Sequence, residues 1–125
     1  LKQLVAYGLE NPDVLGFEQN CSFLLEAKAS RSDFLADRKK YFRCCPSAGM
    51  GLYRSFICPK GLIKAEELPE NWGLIYVNDN LRTRQIVKPV AFKQHDTNAE
   101  MRMLVSLARR FVDKFEYKKY LYLPA

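Results

Sequence analysis

The sequence predicts a mixed α/β domain, one sheet flanked by helices, and three observations predict it. Short apolar runs bounded by turn residues recur at 13–17, 21–29, 52–58 and 73–77. A capped segment of helical periodicity follows the second run. A long helical stripe closes the chain. The order is α-β-β-α-β-β-β-α, with no repeat, low-complexity stretch or linker, so residues 1–125 are expected to form a single domain.

Each element has its own signal. Leu1 to Leu9 places Leu1, Leu4, Val5 and Leu9 on one helical face, and Asn11-Pro12 breaks it. Asp13 to Phe17 and Cys21 to Ala29 flank Glu18-Gln19-Asn20, the pattern of a β-hairpin. Ser30 to Arg43 reads as one helix, with Ser30 and Asp33 suited to its cap and an apolar stripe of Phe34, Leu35, Tyr41 and Phe42. Pro46 and two glycines end it. Leu52 to Cys58 is a strand closed by Pro59, and Leu62 to Leu68 a helical turn closed by Pro69. Gly73 to Val77 and Leu81 to Val90 are the last strands. Asn98 to about Tyr120 is the longest helix, with Asp96, Thr97 or Asn98 as its cap.

Composition narrows the function classes. At 48% hydrophobic and 13% aromatic residues the chain can bury a core and is not disordered. Cys21, Cys44, Cys45 and Cys58 contain no C-x-x-C pair, so neither a zinc site nor a disulfide framework is expected; free thiols in a reducing cytoplasm are. No apolar run approaches the roughly 20 residues that span a bilayer, so no membrane partner is expected. The net charge of +6 suits a polyanion, and equally a solvated basic surface.

The residues that carry chemistry are Asp13, Glu26 and Lys28. Residues two apart on a strand share a face, so Glu26 and Lys28 project together, and Asp13 on the neighbouring hairpin strand can reach the same point. Mg²⁺ takes one or two carboxylates with waters and phosphate oxygens. Asp13 and Glu26 would supply the carboxylates, and the Ala27 backbone carbonyl a third ligand. Lys28 would orient a water or offset charge in the transition state of phosphodiester hydrolysis. An acid followed by Glu-x-Lys also fits a structural ion pair. What distinguishes this pair is its place at the end of the apolar run Phe23-Leu24-Leu25.

Asp13-Val14-Leu15-Gly16-Phe17, then Leu24 to Lys28, then S-R-x-D-F-x-x-D-x-K over 30–39, resembles the MmcB-like DNA-repair and phage branch of the PD-(D/E)XK nuclease superfamily. Gly49-Met50-Gly51, Arg54, Cys58-Pro59 and Leu68 to Ile75 also fit. The resemblance covers roughly residues 12–78 and, loosely, the last helix. It implies a restriction-endonuclease-like core, a DNA substrate, Mg²⁺ or Mn²⁺, a bacterial or phage-infected cytoplasm, and pairing into a homodimer. It matches Asp13 and Glu26 to the metal-binding acids and Lys28 to the catalytic lysine. The superfamily core usually begins with a longer helix that often carries another acid. Only eleven residues precede Pro12, and Glu10 is a poor match for that acid.

The neighbours read two ways. Ser30, Arg31 and Lys39, beside a helix N-terminus, would lie near a nucleic-acid phosphate, and Arg54 would point into the site or to solvent. Asp33 and Asp37 read as members of a solvent-facing helix, paired with Arg38. Trp72 reads as a core plug, and His95 receives no role. The basic residues of the last helix, Arg102, Arg109, Arg110 and Lys114 among them, fit phosphate contacts or a solvated face. A catalytically inactive nuclease-fold module, binding nucleic acid or a protein in an accessory or counter-defence role, is the alternative function.

Overall fold

A hairpin begins the sheet because its two strands alternate in register across a tight turn. β1 (Val14–Glu18) pairs antiparallel with β2 (Cys21–Ala27), Val14 opposite Leu25 and Glu18 opposite Cys21. The computed structural model describes residues 10–115. The predicted helix at 1–9 and the end of the last helix beyond Phe115 lie outside them. β3 (Tyr53–Pro59) pairs parallel with β2, β4 (Gly73–Val77) parallel with β3, and β5 (Thr83–Val87) antiparallel with β4. The strands lie in the order β1-β2-β3-β4-β5. This is the mixed-sheet α/β architecture that the sequence predicts.

Parallel strands need a crossover, and the segment between β2 and β3 supplies it. It is two helices, α1 (Arg31–Asp37) and α2 (Tyr41–Cys44), followed by a 3₁₀ turn at Pro46–Ala48. The single helix expected over 30–43 is broken. Lys40 is extended at φ −66°, ψ 141°. On one continuous helix Asp37 and Arg43 would lie about 120° apart around the axis and about 9 Å along it. The break turns α2 back so that the two side chains meet.

Inward residues alternate along the central strands. Leu24 on β2 stands beside Arg54 on β3, and Glu26 beside Phe56. Phe56 packs edge-on to Phe34 of α1, 5.3 Å between centroids, and stacks on Trp72 at 4.3 Å. With Cys58, Ile63, Leu74 and Phe92 they form the main core, and Trp72 is the core plug expected of it. Gly51 holds φ +94°, a left-handed backbone that favours glycine, and a Cβ there would meet Leu24 Cβ at 2.7 Å.

The last helix, α3 (Thr97–Phe115), starts under an Asp96 cap: its Oδ1 accepts from Ala99 N at 3.0 Å. Ala99 and Met103 join Met50 in a second small cluster. Most of the predicted stripe lies outside the core of the described residues, because Met101, Leu104, Val105, Leu107 and Phe111 are exposed. β5 is shorter than its alternation suggests. Asn78 Oδ1 accepts from Asn80 N and Arg82 N, and this turn consumes the first residues of the run.

Candidate active site

The hairpin register carries Asp13 across to the end of β2. Ala27 N donates to Asp13 Oδ2 at 2.9 Å, and Asp13 N donates to Glu26 Oε1 at 3.3 Å. Strand alternation puts Glu26 and Lys28 on the covered face, 4% and 8% exposed. Lys28 Nζ lies 3.9 Å from Glu26 and donates to Asp37 Oδ1 at 3.1 Å. Asp13, Glu26 and Lys28 therefore meet at one end of the sheet, beside the hairpin.

Three further residues complete the cluster. Asp37, expected on a solvent-facing helix, is 1% exposed. It accepts from Lys28 and, at 2.7 Å, from Arg43 Nε. Asp37 falls three residues after buried Phe34, on the same helical face. Arg43 also pairs with Glu10 and lies 3.6 Å from Glu26. Glu10, a poor match for the acid of a first helix, is buried in the cluster and accepts from Met50 N at 2.7 Å. No periodicity signal marks Arg43 or Glu10, because their approach depends on the break after α1.

The electrostatics set Glu26 apart. Burial pushes its carboxyl up from 4.5 to about 7. Arg43 and Lys28 oppose this, while Asp13 and Glu10 reinforce it. At Asp37 burial also disfavours the charge, yet the Arg43 hydrogen bond and the charges of Arg43 and Lys28 outweigh it and hold the carboxyl below its usual range. Burial likewise works against the Arg43 charge, and Glu10 and Asp37 more than compensate. The buried acids Glu10, Glu26 and Asp37 outnumber the enclosed cations Lys28 and Arg43, exposed Asp13 adds a carboxylate at the edge, and Lys40 at the rim, 3.4 Å from Asp37, offsets part of the excess. Among the described residues no three His, Cys, Asp or Glu side chains form an all-protein metal cage. The donors that converge, Asp13 and Glu26, are the pair of hard oxygens that Mg²⁺ or Mn²⁺ takes alongside water and phosphate, so the set fits such an ion.

The residues expected to touch nucleic acid are scattered. Ser30 Oγ caps α1, accepting from Asp33 N at 3.2 Å. With seven residues, α1 is a short source of helix dipole. Arg31 is spent on a two-pronged pair with Glu67, both contacts at 2.7 Å, and on the Leu62 carbonyl. Lys39 is exposed in the turn after α1. Arg54 neither reaches the Asp13–Glu26 edge nor points to solvent. It is 1% exposed and donates to the carbonyls of Pro46, Gly49 and Gly51. His95, assigned no role, lies 2.8 Å from Glu100, which also accepts from Ser22 and Gly51 N.

Comparison with known proteins gives the fold and little more. No protein-family description matches the chain, and no curated protein does. A solved structure of a protein of unknown function from Silicibacter pomeroyi is similar at a TM-score of 0.63 and 20% identity, over 100% of this chain and 84% of that one. This likeness supports the α/β mixed-sheet fold.

Proposed function

We propose that this chain is a metal-dependent nuclease of the PD-(D/E)XK type that hydrolyses DNA phosphodiester bonds. The observation that carries the reading is the convergence of Asp13, Glu26 and Lys28 at the end of β2, with carboxylates in excess over enclosed cations. Asp13, Glu26 and the Ala27 carbonyl would hold Mg²⁺ or Mn²⁺. Such an ion, when bound, acidifies a water and offsets phosphate charge. Lys28 would present its ammonium to the attacking water or to a phosphate oxygen, and Asp37 is its positioning residue at 3.1 Å. Arg43 orders Glu10, Glu26 and Asp37 around them and keeps the carboxylates from repelling one another.

The test is nicking of supercoiled plasmid and cleavage of a labelled single strand with Mg²⁺ or Mn²⁺. Wild type should cut, and Glu26→Gln and Lys28→Met should each fall by about a thousandfold. Equal behaviour of all three ends the catalytic reading. One observation favours the inactive nuclease-fold module instead: the cluster is closed, and among the described residues every buried side-chain polar atom has a partner. Calorimetry separates the two readings. DNA or protein binding with no Mn²⁺ binding supports the module.

A further inference from the structure

A cleft of about 950 Å³ has Arg43 in its lining. Its walls come from the 3₁₀ turn after α2, from Pro69 to Trp72, and from Val90 to Gln94. The volume falls within the roughly 300–1,000 Å³ of small-molecule sites. The Arg43 guanidinium lies 4.6 Å from the Trp72 ring centroid, so one side chain joins this cleft to the candidate active site.

Arg54 is the unusual group in the wall. Its guanidinium sits 4.0 Å over the Phe92 ring, and its hydrogen-bond partners are neutral carbonyls. Among the described residues no carboxylate forms an ion pair with it, whereas Arg43 has Glu10, Glu26 and Asp37. Burial pushes Arg54 down to about 10, Arg43 adds to the effect, and the more distant Glu10 and Glu100 only partly restore it. A buried cation held by dipoles alone gains from an anion in the adjoining space. Lys93 adds a positive charge at the exposed lip, and Glu70 is the one acid of the lining.

The rest of the lining suits a flat ring. Val90 and Ala91 offer exposed apolar surface, and Asn71 and Gln94 bring amides, which can pair with the edge of a base. We infer that this cleft is a nucleotide subsite, in which exposed Lys93 meets the phosphate, the buried Arg54 charge in the wall favours it electrostatically, and the Val90–Gln94 wall holds the base. The choice of a nucleotide over other flat anions rests on the nuclease reading. The nucleotide could belong to the strand being cut or be a free 5′-mononucleotide.

The test titrates dAMP, dTMP and inorganic phosphate into metal-free protein, read by calorimetry and amide shift mapping. Both mononucleotides should shift residues 90–94 and Asn71 and bind more tightly than phosphate. Ala91→Trp, which fills the cleft from an exposed position, should weaken them about tenfold. Lys93→Ala should weaken phosphate and nucleotide alike. Phosphate binding as tightly as either nucleotide, or an Ala91→Trp protein that binds like wild type, overturns the subsite. A cleavage arm keeps the two ideas apart. With the strand as source, Ala91→Trp raises KM on a single strand and leaves kcat; with a free nucleotide as source, added dAMP binds and KM is unmoved. Nucleotide binding without any cleavage by wild type removes the nuclease reading and leaves the subsite standing. Cleavage with no nucleotide binding does the reverse.

Discussion

Glu26 on β2 and Glu100 on α3, which bonds to β2, are both buried glutamates, and their surroundings are opposite. Glu100 Oε1 collects Ser22 Oγ at 2.8 Å, Gly51 N at 2.7 Å and His95 Nδ1 at 2.8 Å. Among the described residues Glu26 accepts one long bond, from Asp13 N at 3.3 Å, and its cations stand off at 3.6 and 3.9 Å. A carboxylate wrapped in short donors is a clamp: it ties α3 to β2 and to the loop before β3. A carboxylate buried with its donors at arm's length is what the proposed metal role of Glu26 requires.

Neutralising Glu26 tests this contrast most severely. Its folded pKa of about 7 lies above the ordinary 4.5. Its stabilising contribution is therefore full below pH 4.5 and lost as pH rises through 7. At pH 8 that loss is at most about 3 kcal/mol. Glu26→Gln should stabilise the protein at pH 8 by up to that amount, converge with wild type near pH 4, and abolish nicking. Urea titrations at both pH values with parallel activity assays check it. A variant less stable than wild type at pH 8 would make Glu26 a clamp like Glu100.

Glu100→Ala should do the opposite. It leaves Gly51 N–H and the Ser22 hydroxyl without their acceptor, a loss of about 3 kcal/mol in unfolding free energy read from urea titration. Activity per folded molecule should stay unchanged, because Glu100 touches none of Asp13, Glu26 or Lys28 through the contacts it makes.

How much of this was legible in the sequence follows from range. The Glu26–Lys28 pair was readable because strand alternation is a two-residue rule, and Asp13 because a hairpin register extends it by one pair. Asp37 was misplaced on a solvent face because its partners come from β2 and from α2, and pairing within the helix was the local alternative. Arg43 and Glu10 were invisible for a related reason. A pair 33 residues apart has no periodic signature, and the break at Arg38–Lys40 that lets Arg43 turn inward is stabilised by the very contacts it creates. Arg54 was mistaken for a surface or site arginine because its partners are carbonyls of a loop, which no side-chain pattern encodes.

A divalent ion should sharpen the comparison by a smaller amount. Mn²⁺ at about a hundred times its dissociation constant stabilises a binder by about 2.7 kcal/mol, a melting shift of several degrees. The shift should be full at pH 8, where Glu26 is ionised, and shrink as pH falls below about 7. Glu26→Gln should remove it and Glu100→Gln should not. An equal shift in both variants would place the ion elsewhere.

The smallest effect concerns the exposed charges, where the same distinction between engaged and available groups applies. Arg31 already satisfies Glu67 with both guanidinium nitrogens, and that hydrogen bond holds the Glu67 carboxyl down to about 2, so the pair stays intact across the working pH range. Arg31→Ala should leave DNA affinity within about twofold, because a neutralised cation releases few counterions. Lys39→Ala, which removes an exposed charge in the turn after α1, should weaken binding more and flatten its salt dependence. Glu67→Gln then makes the argument two-sided: freeing Arg31 should tighten DNA binding at low salt, measured by fluorescence anisotropy. If Arg31→Ala weakens binding more than Lys39→Ala does, Arg31 leaves Glu67 when DNA arrives, and an ion pair visible in the free protein is no guide to which cations the phosphates meet.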